Sequence, residues 1–264
     1  MGVLYDAKQE TNYPNKYAEK QMPIVGQRCR VIACTILGLL LICLSWTTGW
    51  ESRHVHDYFW SKKSDSSSHI LATTIQKQLV PLEAHVMSKC PDAKECLEMM
   101  VIPTMEQVWD KVNFTLSFIG TPTANDGVDC MHGPGECMGN IIELCAAYLY
   151  PKPIIYLGFT MCLSREYQEI PQQRLVEDCA LEHGIDFNKI HKCAIRENGG
   201  FAIGMLRDSV RRTAQVGVTK SCTVRLNNEI YCIRDGHKWK DCPHGAAVDD
   251  LVTAVEDLYQ SLQS

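Results

Sequence analysis

The chain has 264 residues, room for one large domain or two small ones, and its 45% hydrophobic content is enough for a packed core. A net charge of −5 and the absence of any long basic run exclude nucleic acid as an expected partner. Fourteen cysteines is a high count for this length and points to an oxidising compartment or to metal binding.

Residues 1–30 are polar, contain Pro14 and Pro23, and read as a disordered cytosolic tail. Residues 31–50 carry no charge and include the run Ile36-Leu37-Gly38-Leu39-Leu40-Leu41-Ile42, enough to cross a bilayer as a helix. A cleaved signal peptide is the alternative. The polar stretch ahead is too long for one and no small-x-small cleavage site follows, so a transmembrane signal anchor is expected. Lys16, Lys20, Arg28 and Arg30 before the span, against Arg53, Lys62 and Lys63 after it, favour a cytosolic N-terminus. Eleven of the cysteines lie beyond the span, as does the sequon Asn113-Phe114-Thr115. Asn113 is therefore a candidate glycosylation site in a lumenal or extracellular C-terminal domain. Residues 51–69, ending in a serine cluster, read as a linker, and the globular domain covers 70–264.

Within that domain, residues 79–87 predict a strand. Residues 91–110 place Leu97, Met100, Val101, Met105 and Val108 at helical spacing, with a kink or break at Pro103. A second strand follows at 112–119. This strand–helix–strand succession is the opening unit of a thioredoxin-like α/β fold. A turn-rich loop covers 126–134. Helices are expected at 136–150, at 171–183 with Gly184 as the stop, and at 203–214. A hairpin spans 222–233 across Asn227-Asn228, and an amphipathic helix at 248–262 closes the chain. The helices between the second strand and the hairpin, with their cysteines, form a helical, disulfide-rich insertion.

Two segments carry chemistry. In Cys90-Pro91-Asp92-Ala93-Lys94-Glu95-Cys96 the first thiol closes a strand and opens a helix, with Pro91 at the first helical position. A thiol there faces unpaired backbone N–H groups and the positive end of the helix, a setting that suits a nucleophile. Cys90 and Cys96 are the candidate catalytic residues; a purely structural role for both is the competing reading. Six residues along a regular helix rise about 9 Å, whereas a disulfide generally needs Cα atoms within about 7 Å. Regular helix therefore predicts that Cys90 works with another thiol, either a small molecule or another lumenal cysteine. With eleven lumenal cysteines one must stay unpaired within the chain, and Cys90 is the expected one.

The second segment runs from Cys130 through His132, Gly133, Glu136, Cys137 and Asn140 to Cys145. Glu136 suits the first turn of a helix, Gly133 and Gly135 make the turn, and the cysteines read as structural bridges. Zinc is the competing chemistry for Cys130, His132 and Cys137, but the spacing fits no standard finger and no metal or other cofactor is expected.

The segment resembles the signature of the gamma-interferon-inducible lysosomal thiol reductase family, Cys-Gln-His-Gly-x2-Glu-Cys-x2-Asn-x4-Cys, with Met131 in place of the glutamine. A second block, Cys179-Ala180, Gly184-Ile185-Asp186, Ile190 and Cys193, also resembles the family. The resemblance implies a thioredoxin-like fold and disulfide-bonded protein substrates. It also implies a small thiol reductant and a secretory, endolysosomal or vacuolar location. Two departures stand out. Ala93 occupies the place where reducing members carry the second cysteine of Cys-x-x-Cys. Residues 219–224 lack the proline that thioredoxin-like proteins present in cis beside the reactive thiol, and Cys222 aligns with that place. Two functions are compatible with these residues: a thiol oxidoreductase reducing protein disulfides, or a non-catalytic lumenal binding or chaperone-like domain stapled by disulfides.

Overall fold

The computed structural model describes residues 77–264. The tail 1–30, the expected anchor 31–50, the linker 51–69 and residues 70–76 lie outside these. Among the described residues no helix is long and apolar enough to cross a membrane.

The centre of the fold is strand β1 (Val80–Val86), buried along almost its whole length. It pairs in parallel with β2 (Val112–Phe118), Val80 opposite Val112 and Val86 opposite Phe118. Between them the chain is helical throughout: α1 (Pro91–Cys96), a π-helical turn (Leu97–Val101) and α2 (Ile102–Val108). The break expected at Pro103 takes the form of this π turn. Proline has no N–H to return, and the preceding Ile102 N–H reaches five residues back to Leu97. Leu97, Met100, Val101, Met105 and Val108 stay buried.

On the other side of β1 lies the hairpin. β5 (Thr223–Leu226) runs antiparallel to β1, and β6 (Glu229–Arg234) antiparallel to β5. Asn227 and Asn228 both take positive φ at its turn, a conformation asparagine tolerates better than most residues. The short β7 (Trp239–Lys240) completes a sheet of order β2-β1-β5-β6-β7. A parallel pair joined by a helix, followed by an antiparallel hairpin added beside the first strand, is the thioredoxin-like plan.

The insertion between β2 and β5 starts with a small ribbon, β3 (Thr121–Pro122) and β4 (Val128–Asp129). Five helices follow: α3 (Pro134–Leu149), α4 (Pro153–Arg165), α5 (Gln173–Glu182), α6 (Phe187–Ile195) and α7 (Gly200–Gln215). Helix α8 (Val248–Gln263) closes the chain with Leu251 and Val255 buried. Disulfides staple the insertion: Cys145–Cys193 ties α3 to α6, Cys162–Cys179 ties α4 to α5, and Cys130–Cys137 precedes and enters α3. Cys232–Cys242 holds the end of the hairpin.

β1 also carries a charge cluster. Glu83 pairs with Arg225 across the β1–β5 ladder and with Arg212 Nη2 at 2.6 Å. His85, with no exposed surface, bonds Glu83 at 3.1 Å and the Thr213 hydroxyl at 2.9 Å. Burial works against the Glu83 carboxylate, but the His85 hydrogen bond and the two guanidiniums together hold it below the usual range. Burial lowers the His85 pKa, with Glu83 opposing.

Candidate active site

Cys90 is the residue preceding α1, in extended conformation, with Pro91 in the first turn behind it. Its N–H closes a turn on the Met87 carbonyl at 3.0 Å, and its carbonyl accepts the Lys94 N–H at 3.2 Å. The thiol is 8% exposed and donates to the Ser221 carbonyl at 3.7 Å. Ser221 in turn accepts the Met87 N–H on its hydroxyl at 2.9 Å, so the two loops lock each other. The Ser221–Cys222 peptide is cis. Cys222 follows directly on the residue whose carbonyl the Cys90 thiol meets.

Ten of the eleven described cysteines are paired and Cys90 is free. Cys96 is not bonded to Cys90. The helix between them is unbroken, and its sulfur is bonded to Cys222, with Cα atoms 6.1 Å apart. Cys96 therefore does not pair with Cys90, as helical rise predicts, and is held in a bridge that sequence spacing did not point to.

The signature residues gather behind the Cys90 turn rather than beside the thiol. Asn140 Oδ1 accepts the Ser88 N–H at 3.0 Å, and the Ser88 hydroxyl donates to the Glu136 carbonyl at 3.1 Å. Gly139 allows this approach: a Cβ there would stand 2.4 Å from Ile170 Cγ2 and 2.5 Å from Ser88 Oγ. Asn140 also donates to Cys130 Sγ at 3.8 Å. The Glu136 carboxylate, fully buried, is hydrogen-bonded to His132 Nδ1, and Gly133, at φ +81°, starts α3. Cys130 and Cys137 are bonded to each other and Cys145 to Cys193, so the zinc set Cys130, His132, Cys137 does not form. Lys89 extends across the insertion, donating to the carbonyls of Gln168 at 2.7 Å and Ile170 at 2.6 Å. Ser88 and Lys89 are thus pinned on both sides just ahead of the thiol.

Other polar groups clamp α1 to the hairpin. Asp92 accepts the Gly236 and His237 N–H groups, and Glu95 binds Arg234 and His237. Donor atoms of Asp92, Glu95 and His237 lie within 4.8 Å of one another, yet these internal bonds already occupy them. A cavity of about 500 Å³ opens beside the Cys90 turn, lined by Met87, Ile119, Cys130, Met131, Val218 and Thr219 among others, and mostly apolar. Sequence reading missed it, because its walls come from four separate segments. Asn113 lies exposed on β2, the edge strand.

Residues 81–183 match the family described as gamma interferon inducible lysosomal thiol reductase (GILT). The chain is also 25% identical over 179 residues to GILT-like protein 1 of Drosophila melanogaster, covering 61% of this chain and 71% of that one. It is similar to the GILT family, as a divergent relative of it. Divergence is visible at the site, where Ala93 stands in place of the second cysteine. Among solved structures, this chain is similar to the thiol-disulfide exchange protein alpha-DsbA2 from Wolbachia pipientis, at TM-score 0.47 and 14% identity, covering 69% of this chain and 83% of that one. It is also similar to a putative protein disulfide isomerase from Nitrosomonas europaea, at TM-score 0.48 and 9% identity, covering 71% and 100%.

Proposed function

We propose that this chain is a thiol–disulfide oxidoreductase that reduces protein disulfides through Cys90, in a domain held on the lumenal or extracellular side of a membrane by residues 31–50. One observation carries the reading: the single unpaired thiol of the described domain is the residue that opens the 91–108 helical run and faces the Ser221–Cys222 loop. A cysteine spared from five bridges at that position is what nucleophilic exchange needs. Cys90 attacks one sulfur of a substrate disulfide. The substrate S–S bond breaks, one substrate sulfur leaves and takes a proton, and the other stays bonded to Cys90 until a second thiol displaces it. No cofactor enters this chemistry. The apolar cavity beside the turn suits side chains flanking a substrate disulfide. The density of bridges supports an oxidising compartment, and the match to the family model supports the endolysosomal or vacuolar route.

The test is reduction of a disulfide-bonded protein by the full-length chain with a small thiol supplied. Cys90→Ser should fall to the rate of the small thiol alone. Equal rates for the wild type and Cys90→Ser would assign the chain to the non-catalytic binding class instead.

A further inference from the structure

Resting on that oxidoreductase reading, we propose that the Cys96–Cys222 bridge is the second half of the redox centre, with Cys90, Cys222 and Cys96 exchanging bonds in that order. Among the five bridges, this one joins the two elements that surround the reactive thiol. Cys96 ends α1, the helix that Cys90 opens, and Cys222 follows Ser221, whose carbonyl takes the Cys90 hydrogen bond. The other four lie in the insertion or at the end of the hairpin. Cys96 and Cys222 have no exposed surface, whereas Cys90 has 8%. A thiol arriving from solvent therefore meets Cys90 first, and the bridge is reached through it. The order follows from geometry. Unbroken helix separates Cys90 from Cys96, while Cys222 is one residue from the group Cys90 touches.

The exchange closes without an added oxidant. In the reduced centre all three are thiols. Cys90 attacks the substrate disulfide, and the first substrate sulfur leaves with a proton. Cys222 then attacks the Cys90 sulfur of the mixed disulfide. The Cys90–substrate bond breaks, the second substrate thiol leaves with a proton, and a Cys90–Cys222 bond stands. Cys96 attacks Cys222, forming the Cys96–Cys222 bond and releasing Cys90, which takes up a proton. One substrate disulfide has become two thiols, and two protein thiols have become one disulfide. The described arrangement, Cys90 free and Cys96–Cys222 closed, is this end state. A low-molecular-weight thiol resets it in reverse. Cys90 opens the bridge at Cys222 and frees Cys96, one small thiol displaces Cys222 from Cys90, and a second clears Cys90, leaving as the small disulfide.

The experiment is a single turnover. Full-length protein is reduced, freed of small thiol and mixed with one equivalent of a disulfide-bonded peptide. Wild type should release both peptide thiols and return Cys90 alkylatable. Cys222→Ser should stop after one peptide thiol, with the other peptide half on Cys90. Cys96→Ser should release both but end with a Cys90–Cys222 bond and no alkylatable Cys90. Both variants remove a core bridge, so acid-quenched wild type is mapped as well, and a transient Cys90–Cys222 species should be found. Wild type that stalls as the mixed disulfide until small thiol is added, or that turns over with no Cys90–Cys222 species at any time, overturns the relay while leaving Cys90 as nucleophile. Failure of every protein to form a mixed disulfide at Cys90 would instead bring down the oxidoreductase reading.

Discussion

Replacing Glu143 with glutamine should make this protein more stable at neutral pH and leave it nearly unchanged in acid. Glu143 lies midway along α3, has no exposed surface, and neither carboxylate oxygen has a hydrogen-bond partner. Burial pushes its pKa up to about 8; Thr160, the polar group that favours ionisation, pulls the other way, and Glu136 adds to the rise. The folded value lies above the ordinary 4.5, so the folded state keeps a proton that the unfolded chain has shed. That contribution is fully present below the unfolded value and is lost as pH rises towards about 8. Each pH unit inside the window changes stability by about 1.4 kcal/mol. Between about pH 5 and about pH 7 the wild type should therefore lose about 2 to 3 kcal/mol through this one group. Glutamine keeps the shape and cannot ionise. Urea unfolding of both proteins across that range, disulfides intact, gives two stability curves. Their difference is the informative quantity, because buried His85, with its pKa lowered, pulls the opposite way in both proteins, losing stability as pH falls below its ordinary 6.5. The curves should nearly meet at about pH 5 and separate by about 2 to 3 kcal/mol at about pH 7. Parallel curves would show that Glu143 does not titrate in isolation, and the burial argument would be wrong.

Gly139→Ala should cost about 1 to 3 kcal/mol by forcing a methyl against Ile170 and Ser88, and should slow alkylation of Cys90. Gly204→Ala on α7, where an added Cβ meets nothing within 4 Å, is the control that should do neither. If the domain is lumenal, the exposed Asn113 is modified, and Asn113→Gln made in a secretory host should migrate faster on a gel. Unchanged migration would remove this support for the lumenal placement.

The parts of the fold that were legible are those set by neighbours in sequence. β1, the helical run with its irregularity at Pro103, β2 and the Asn227-Asn228 hairpin all follow from period, proline chemistry and turn residues. Gly184, at φ +65°, ends its helix as expected. Two helices were not foreseen, for opposite reasons. In α4, Tyr156, Leu157, Phe159, Thr160, Met161, Leu163 and Ser164 are all buried, so no polar face marks the period. α6 has only nine residues, and its clearest signal is one cap, the Asp186 carboxylate accepting the Asn188 and Lys189 N–H groups. The Glu83–Arg225 pair was invisible because it depends on strand register across 142 residues.

The site divides along the same line. The place of Cys90 ahead of the helix and its unpaired state were legible because strand end, proline and thiol are adjacent and the cysteine count is odd, and helical rise alone was enough to keep Cys96 away from it. What no spacing contains is the pairing of Cys96 with a cysteine 126 residues on, since cysteine counts restrict parity and leave connectivity open. The signature was legible as a pattern but not as a purpose. Gly139, Asn140 and Glu136 act on Ser88, two residues before the thiol, and Lys89 is fixed from the insertion as well. In a Cys-x-x-Cys protein both sulfurs sit on one helical turn, so one helix sets their separation. With Ala93 in the fourth position, the proposed second sulfur, Cys222, comes from another element, and its distance from Cys90 depends on how tightly the 87–90 turn and the 221–222 loop are held together. The Met87–Ser221, Ser88–Asn140 and Lys89–Ile170 hydrogen bonds fall on three successive residues of that turn. On the proposed exchange reading, positioning of the second sulfur thus rests on the packing of the insertion against the sheet rather than on one helix.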